Sequence, residues 1–396
     1  MESRSVTERY RGLLICAAII VAVTVAVVLL TWHAGHIPGN LLDSSIDITE
    51  EERIRVVPIA ENLEKPWGMA FLPDGDILIT ELPGRLRLVH GGKLQPQGIE
   101  GVPKVETRDQ AGLMDIALDP HFAENRFIYF TYSKRGPRGN TPALMRAFYD
   151  GQRLNNARDI FVSDAWSGNS GGNTGSRIVF ELDGTILMSI GDRHEKFPAQ
   201  DLKTDKGKVV RLNSDGTVPP DNPFVNRPDV RPEIFAYGVR NPEGLYVESD
   251  SGTVWESEFG PLGGDEINIL LPGHNYGWPV ITYGKNYDGS IISNETAHEG
   301  MDQPVVHWNP SISPSGITIY TGDRFPKWRN NLFVSALSGI QLRRVVFSGY
   351  SPVHEERLLS RLQHRIRDVR QSPDGFLYIL IDEPGSLLKV VPVEHS

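Results

Sequence analysis

Pro373-Asp374-Gly375-Phe376-Leu377-Tyr378-Ile379 has a near copy in Pro73-Asp74-Gly75-Asp76-Ile77-Leu78-Ile79. In both, an Asp-Gly turn leads into an alternating apolar run, a strong hairpin signal because both turn residues tolerate φ > 0. The same order recurs at Asp183-Gly184 before Thr185-Ile186-Leu187-Met188, and at Asp250-Ser251-Gly252 before Thr253-Val254-Trp255. Looser copies are Asp119-Pro120-His121-Phe122 before Phe127-Ile128-Tyr129-Phe130, and Gly322-Asp323-Arg324-Phe325-Pro326 before Asn331-Leu332-Phe333-Val334. With Ile77, Ile128, Ile186, Val254, Leu332 and Leu377 as markers, the copies stand 51, 58, 68, 78 and 45 residues apart. Four short strands with their turns occupy roughly 40–50 residues, and the longer steps leave room for insertions.

Six such units in radial array predict an all-β fold, a six-bladed propeller of four-stranded antiparallel blades. Ring closure requires the chain ends to meet, so the strand-like stretches 54–59 and 386–393 are expected to share a blade. A β-sandwich or a pair of barrels would not produce six similar hairpins. No long amphipathic helix interrupts the pattern, which disfavours a parallel α/β fold. The 39 glycines and 28 prolines among 396 residues fit a chain with many turns. The formal net charge of −10 leaves no basic stripe to meet phosphates, which argues against a nucleic-acid partner.

Residues 13–30 are apolar except for Thr24, and Thr31-Trp32 extend the run. About 20 such residues cross a bilayer as a helix. Arg4, Arg9 and Arg11 precede the run, and no Lys or Arg follows until Arg53. That bias predicts a single-pass membrane protein, its N-terminus cytoplasmic and its propeller in the periplasm or outside the cell. The predicted organisation is a cytoplasmic stretch 1–12, a transmembrane anchor 13–32, a tether 33–52 and a propeller 53–396. A cleaved signal peptide is the alternative, although the apolar run is long for one and no clear cleavage site follows. Cys16, the only cysteine, falls inside this run, so the exported part has no disulfide, thiolate metal ligand or thiol nucleophile.

No nucleophile elbow, zinc-protease helix, Walker loop or dinucleotide fingerprint is present. Three stretches are dense in polar and glycine residues: 108–114, 237–244, and 258–266 followed by Asn275-Tyr276-Gly277-Trp278-Pro279. Loops of this kind bind Ca²⁺ through carboxylates and carbonyls; as solvated turns they do nothing, and composition leaves both readings open. Arg365 and Arg367 face one side if their segment is a strand. With Arg240 they suit a multiply charged anion; the alternative is a polar outer face paired to Asp368.

These residues resemble the soluble pyrroloquinoline-quinone (PQQ) dependent aldose sugar dehydrogenases, the glucose/sorbosone dehydrogenase family. The resemblance runs from about Val56 to Val391. It is carried by Trp67-Gly68-Met69-Ala70-Phe71, Gln110-Ala111-Gly112-Leu113, Ala199-Gln200-Asp201-Leu202, Gly207-Lys208-Val209-Val210-Arg211-Leu212, Arg240-Asn241-Pro242, Asp265-Glu266-Ile267-Asn268 and Arg365-Ile366-Arg367-Asp368-Val369. It implies a six-bladed propeller that oxidises an aldose or related alcohol and passes electrons to a quinone or cytochrome. By position it implies PQQ contacts from Arg240, Asn241, Ser311, Arg365 and Arg367, and sugar contact from Gln110. It further implies Ca²⁺ bound to the carbonyls of Gly260 and Pro261, where the ion would act as a Lewis acid. A second, structural Ca²⁺ would involve Glu266, Tyr276 and Thr282.

The chain departs from the family where the proton acceptor stands. Asn173, within Gly172-Asn173-Thr174-Gly175-Ser176-Arg177, occupies the position of the family's catalytic His. An amide cannot serve as a general base, and losing one costs about 10²–10⁴-fold. Gly172 replaces an Asp found in some relatives, Phe259 replaces a polar residue, and Ser338 stands where some members carry Lys. Two readings follow. Either a neighbour such as His194 or Asp109 takes the proton, or the propeller binds PQQ, Ca²⁺ or a partner without turnover. A Ca²⁺-dependent lactone hydrolase is a third possibility, by analogy of fold alone.

Overall fold

The computed structural model describes residues 46–168 and 170–393. Six antiparallel sheets follow one another along the chain, each ordered from an inner strand outward. The inner strands are Pro66–Phe71, Leu113–Leu118, Gly175–Phe180, Pro242–Val247, Pro314–Ile319 and Ile366–Gln371. Each lies beside the next, and the sixth lies beside the first, closing a ring. This is the six-bladed propeller that the repeats predict. The sixth blade is completed by Arg53–Leu63, which pairs with Gly385–Pro392, Arg55 opposite Val391 and Val57 opposite Lys389. The two ends of the described propeller thus share one sheet. Asp47–Ile48 adds a fifth strand at its edge, so this blade alone exceeds four strands.

The repeated Asp-Gly turn joins the first and second strands of a blade. In blades 1 and 6, Gly75 and Gly375 take φ of +90° and +82°, which a side chain would strain. All six marker residues lie in second strands. Three positions after each marker stand Thr80, Thr131, Ser189, Ser257 and Ser335, and then Leu380 in blade 6. The five hydroxyls latch neighbouring blades together. Thr131 Oγ1 accepts from Asp115 N at 2.9 Å and donates to Ser176 O of the next blade at 2.7 Å. Ser189 Oγ accepts from Arg177 N at 3.0 Å and donates to Pro242 O at 2.8 Å. Thr80 bridges Gly68 N and Met114 O in the same way. Between blades, apolar faces stack, as where Trp255 and Ile267 meet Ile317, Leu332 and Val334.

Two carboxylates and two guanidiniums occupy the middle of the ring. Asp115 and Asp368 hold Arg177 at 3.2 and 3.3 Å, and Arg370 reaches both acids, with Nε 2.9 Å from Asp368. Room for the acids comes from glycines on adjoining strands. A Cβ on Gly316 would lie 2.0 Å from Asp368 Oδ1, and one on Gly68 would lie 2.6 Å from Asp115 Oδ1. Arg370 also donates to Met69 O and Ile116 O, and Arg177 to Glu243 O, so the quartet ties together five blades.

The membrane placement is corrected here. Spanning a bilayer takes about 20 residues in one helix. Among the described residues no helix is long and apolar enough, the single α-helix, α1, being Phe122–Asn125. The stretch 13–32 lies outside the described residues. A single-pass protein tied to the membrane by an N-terminal helix is therefore not supported.

Candidate active site

The inner strands all start at one mouth of the ring. Segments just before them carry Gln110, Asn173, Arg240-Asn241, Ser311 and Arg365, so the topology gathers these residues at that mouth. Asn173 is buried with φ +46°, its N–H donating to Gln110 Oε1 at 3.0 Å and its Nδ2 to Asp192 Oδ1 at 2.8 Å. Asp192 is the hub of this side. Oδ1 also accepts from His194 N at 2.8 Å, and Oδ2 accepts from Trp278 Nε1 at 2.8 Å. The main chain of Asp192 is tied as well, its N–H donating to Arg240 O at 2.7 Å. Arg240 in turn lies over the Trp278 ring, 5.5 Å from its centroid, and donates to Phe259 O at 2.9 Å.

Asn241 continues the network around the mouth. Its Oδ1 accepts from Gly175 N at 3.0 Å, and its Nδ2 donates to Glu243 Oε1 at 3.1 Å. Glu243 Oε2 takes Arg367 Nη1 at 2.6 Å. Asp382 Oδ2 lies 3.1 Å from Arg365 Nε and 3.8 Å from Arg367 Nη2. Arg367 Nε is buried without a hydrogen-bond partner, so this guanidinium keeps unused donor capacity. Three arginines thus stand at one mouth with amide and hydroxyl donors beside them, a set that suits a polycarboxylate.

Gly260 and Ser311 share one acid. Asp265 Oδ1 accepts from Gly260 N and Ser311 Oγ, both at 2.9 Å, and Oδ2 accepts from Ile312 N and Ser313 N at 2.6 and 2.9 Å. Burial pushes the Asp265 carboxyl up, and these hydrogen bonds offset only part of that rise. Ser338 hydrogen-bonds Ser313 Oγ at 2.8 Å. Behind Gly260 lies a small cavity lined by Arg240, Glu258, Glu266, Tyr276 and Thr282 among others. Burial pushes the Glu258 carboxyl up to about 7, and burial with repulsion from Glu258 pushes Glu266 up as well. The Tyr276 hydroxyl accepts from Leu271 N and donates to Ile269 O, both at 2.8 Å, so only its main chain remains to serve a ligand. Thr282 Oγ1 accepts from Gly284 N at 3.1 Å. Among the described residues no three His, Cys, Asp or Glu side chains converge into a metal-ligand set.

The structure therefore brings the sequence-predicted residues into one connected region, with Glu266, Tyr276 and Thr282 behind Gly260. Sequence reasoning missed the acids that hold the rest: Asp192, Glu243, Asp265 and Asp382. Glu243 and Asp265 lie within the polar stretches singled out above, but nothing in the sequence marks them as acceptors rather than ligands.

Comparison with known proteins fits this geometry. The family model described as glucose/sorbosone dehydrogenase matches residues 63–389. The chain is 39% identical over 346 residues to the aldose sugar dehydrogenase YliI of Escherichia coli, covering 86% of this chain and 93% of that one. A crystal structure of the soluble aldose sugar dehydrogenase from Escherichia coli in its apo form superposes with a TM-score of 0.83 at 39% identity, covering 86% of this chain and all of that one. That relative's solubility is a second finding against the membrane placement. The PQQ-bound aldose sugar dehydrogenase of Streptomyces coelicolor gives a TM-score of 0.71 at 25% identity, covering 88% of this chain and 98% of that one. The chain belongs to the glucose/sorbosone dehydrogenase family.

Proposed function

We propose that the protein is a PQQ-dependent dehydrogenase that oxidises an aldose or a related alcohol at the mouth where the inner strands start. The observation that carries this reading is the set of three guanidiniums, Arg240, Arg365 and Arg367, with Asn241 and Ser311 beside them. PQQ bears three carboxylates, which three guanidiniums at one mouth match in charge and in donor geometry. When bound, PQQ supplies the two-electron acceptor for the sugar's C–H bond. Asn241 is fixed by Gly175 N and Glu243, so its amide is already oriented before anything binds. Gln110, anchored on Asn173 N, would contact the sugar at the same mouth. The electrons would leave to a quinone or a cytochrome.

Ca²⁺ fits the oxygen donors around Gly260. A Cβ on Gly260 would lie 2.0 Å from Gly263 O, so only glycine lets this turn fold its carbonyls so tightly. Glu258 and Glu266 are buried carboxylates that repel each other, and they are the hard donors that Ca²⁺ takes. The Gly260 and Pro261 carbonyls would serve the cofactor's ion. Glu266, Thr282 and the Tyr276 main chain would serve a structural one.

Asn173 supports a second reading, in which the frame is kept and turnover is lost. One titration separates the two. The chain is loaded with Ca²⁺ and PQQ, and the quinone spectrum is recorded before and after D-glucose and a panel of other aldoses. Bleaching of the bound quinone is expected. A quinone that binds and stays oxidised favours the second reading, and one that never binds removes both.

A further inference from the structure

We infer that His194 takes the proton of the sugar hydroxyl in place of the residue at position 173. This rests on the sugar oxidation proposed above. The first observation is steric. A Cβ placed on Gly172 would lie 2.0 Å from His194 Nε2, 2.9 Å from Cδ2 and 3.1 Å from Cε1. The imidazole therefore fills the space that a side chain at 172 would need. Its Nε2 is held against the peptide that precedes Asn173.

The second observation is that the loop is built to keep the ring there. Asp192 Oδ1 binds the Asn173 amide and the His194 N–H together, each at 2.8 Å. Arg193 is buried, and its Nη1 donates to Gly172 O at 2.9 Å while Nη2 donates to Asn140 Oδ1 at 2.5 Å. Arg193 and His194 have φ of +58° and +67°, and Asn173 opposite has +46°. Three adjoining non-glycine residues in the left-handed region cost about 1–3 kcal/mol each and persist only where the surroundings hold them.

The third observation is availability. His194 as a residue keeps solvent access, and neither of its ring nitrogens hydrogen-bonds to a described residue. The charged groups that face it are Asp192, Arg240, Arg193 and Asp109. Desolvation and the two arginines hold the imidazole below its ordinary value against the two acids, so a lone pair is free at neutral pH. Asn173 has no such pair to offer, because amide nitrogen is not basic. In the reaction the hydroxyl O–H bond breaks and its proton passes to Nε2. The electron pair left on oxygen forms the C=O bond, and the C–H bond breaks with its pair going to the quinone oxidant.

The test uses the full chain with PQQ and Ca²⁺, D-glucose as probe, and two readouts. In steady-state kinetics, His194→Gln is expected to lower kcat about 10²–10⁴-fold with little change in KM, and to remove the acid limb of the pH profile below 6.5. Gly172→Ala, which pushes on the ring, should lower kcat as well. Asn173→His in the His194→Gln background should restore turnover. The second readout needs no turnover. Imidazole NMR of the unloaded chain should show one ring, absent in His194→Gln, that titrates below 6.5 and shifts in Gly172→Ala. If His194→Gln keeps wild-type kcat and the acid limb, the inference is overturned while sugar oxidation stands. If the ring titrates above 6.5 or ignores Gly172→Ala, the packing argument fails. If no aldose reduces the bound quinone, the dehydrogenase reading falls and this inference with it.

Discussion

Replacing Arg370 with Met tests what holds the ring closed. Met keeps much of the aliphatic stem and removes the charge. Four acceptors then lose a donor: Asp115 and Asp368 (the latter at 2.9 Å), which keep only Arg177 as cation, and the carbonyls of Met69 at 2.5 Å and Ile116 at 3.1 Å. Breaking a buried ion pair by removing one partner costs about 3–5 kcal/mol. Two stranded carbonyls add about 1 kcal/mol each. A loss of about 5–7 kcal/mol is expected, a large part of a typical total of about 5–15 kcal/mol. Urea unfolding at pH 7 measures it as a shifted midpoint at unchanged slope. Asp368→Asn in the same chain should cost less than the sum of the two single changes, because it removes the stranded charge.

The sign with pH is also fixed. Burial raises the Asp368 carboxyl in the folded state, and loss of Arg370 removes one of the two cations opposing that rise. Between the unfolded and folded values the native variant holds a proton that the unfolded chain does not. Its stability therefore grows as pH falls through that window, and the gap to wild type narrows. A loss under about 1 kcal/mol, or strict additivity with Asp368→Asn, would refute the view that the quartet stitches the blades.

Lys208 Nζ donates to Pro198 O, Ala199 O and Lys206 O at 2.9, 3.0 and 2.6 Å. Lys208→Met should cost about 3 kcal/mol and speed hydrogen exchange across 197–206. Thr80→Val removes a hydroxyl that bridges two blades and should cost about 1–3 kcal/mol by thermal or urea unfolding, with the fold retained. Removal of residues 1–63 uncovers the edge of Gly385–Pro392, and size-exclusion chromatography should then show aggregates larger than the full chain's species.

The propeller was legible because its signal is local and repeated. Each Asp-Gly turn and the apolar run after it belong to one hairpin, and six copies at propeller spacing leave few alternatives. Strand-like ends at 54–59 and 386–393 also announced the closure. The hydroxyls three residues past each marker were equally repeated, yet a Thr or Ser in a strand has no meaning until the facing blade supplies its carbonyl. The quartet was hidden for a related reason. Asp115, Arg177 and Asp368 come from three blades, and no spacing in the chain relates them. At the candidate site, the positions carried by family resemblance gather at one mouth, but Asp192 and Glu243 act by holding other residues and have no motif of their own. The apolar run at 13–32 invited a membrane reading that rests on composition alone.

The least regular parts of the repeat carry the residues of the proposed chemistry. The steps of 68 and 78 residues are the longest between markers. The first contains the loop between Ile186–Ile190 and Lys208–Leu212, with Asp192, Arg193 and His194. The second contains the loop between Asp265–Leu270 and Val306–Trp308, with Tyr276, Trp278 and Thr282. A closed ring tolerates such insertions because loop closure costs only about 0.6 kcal/mol for each doubling of length. What an insertion lacks is rigidity, and here buried polar groups supply it. Asp192 ties the first loop to the second through Trp278, and Lys208 caps three carbonyls of the first from below. A proton acceptor can therefore move from an inner-strand approach to a loop without losing its position. Loss of the Asp192–Trp278 bond in Trp278→Phe should loosen both loops and lower kcat more than it raises KM. A change confined to KM would mean that the loops bind the sugar without setting the reacting geometry.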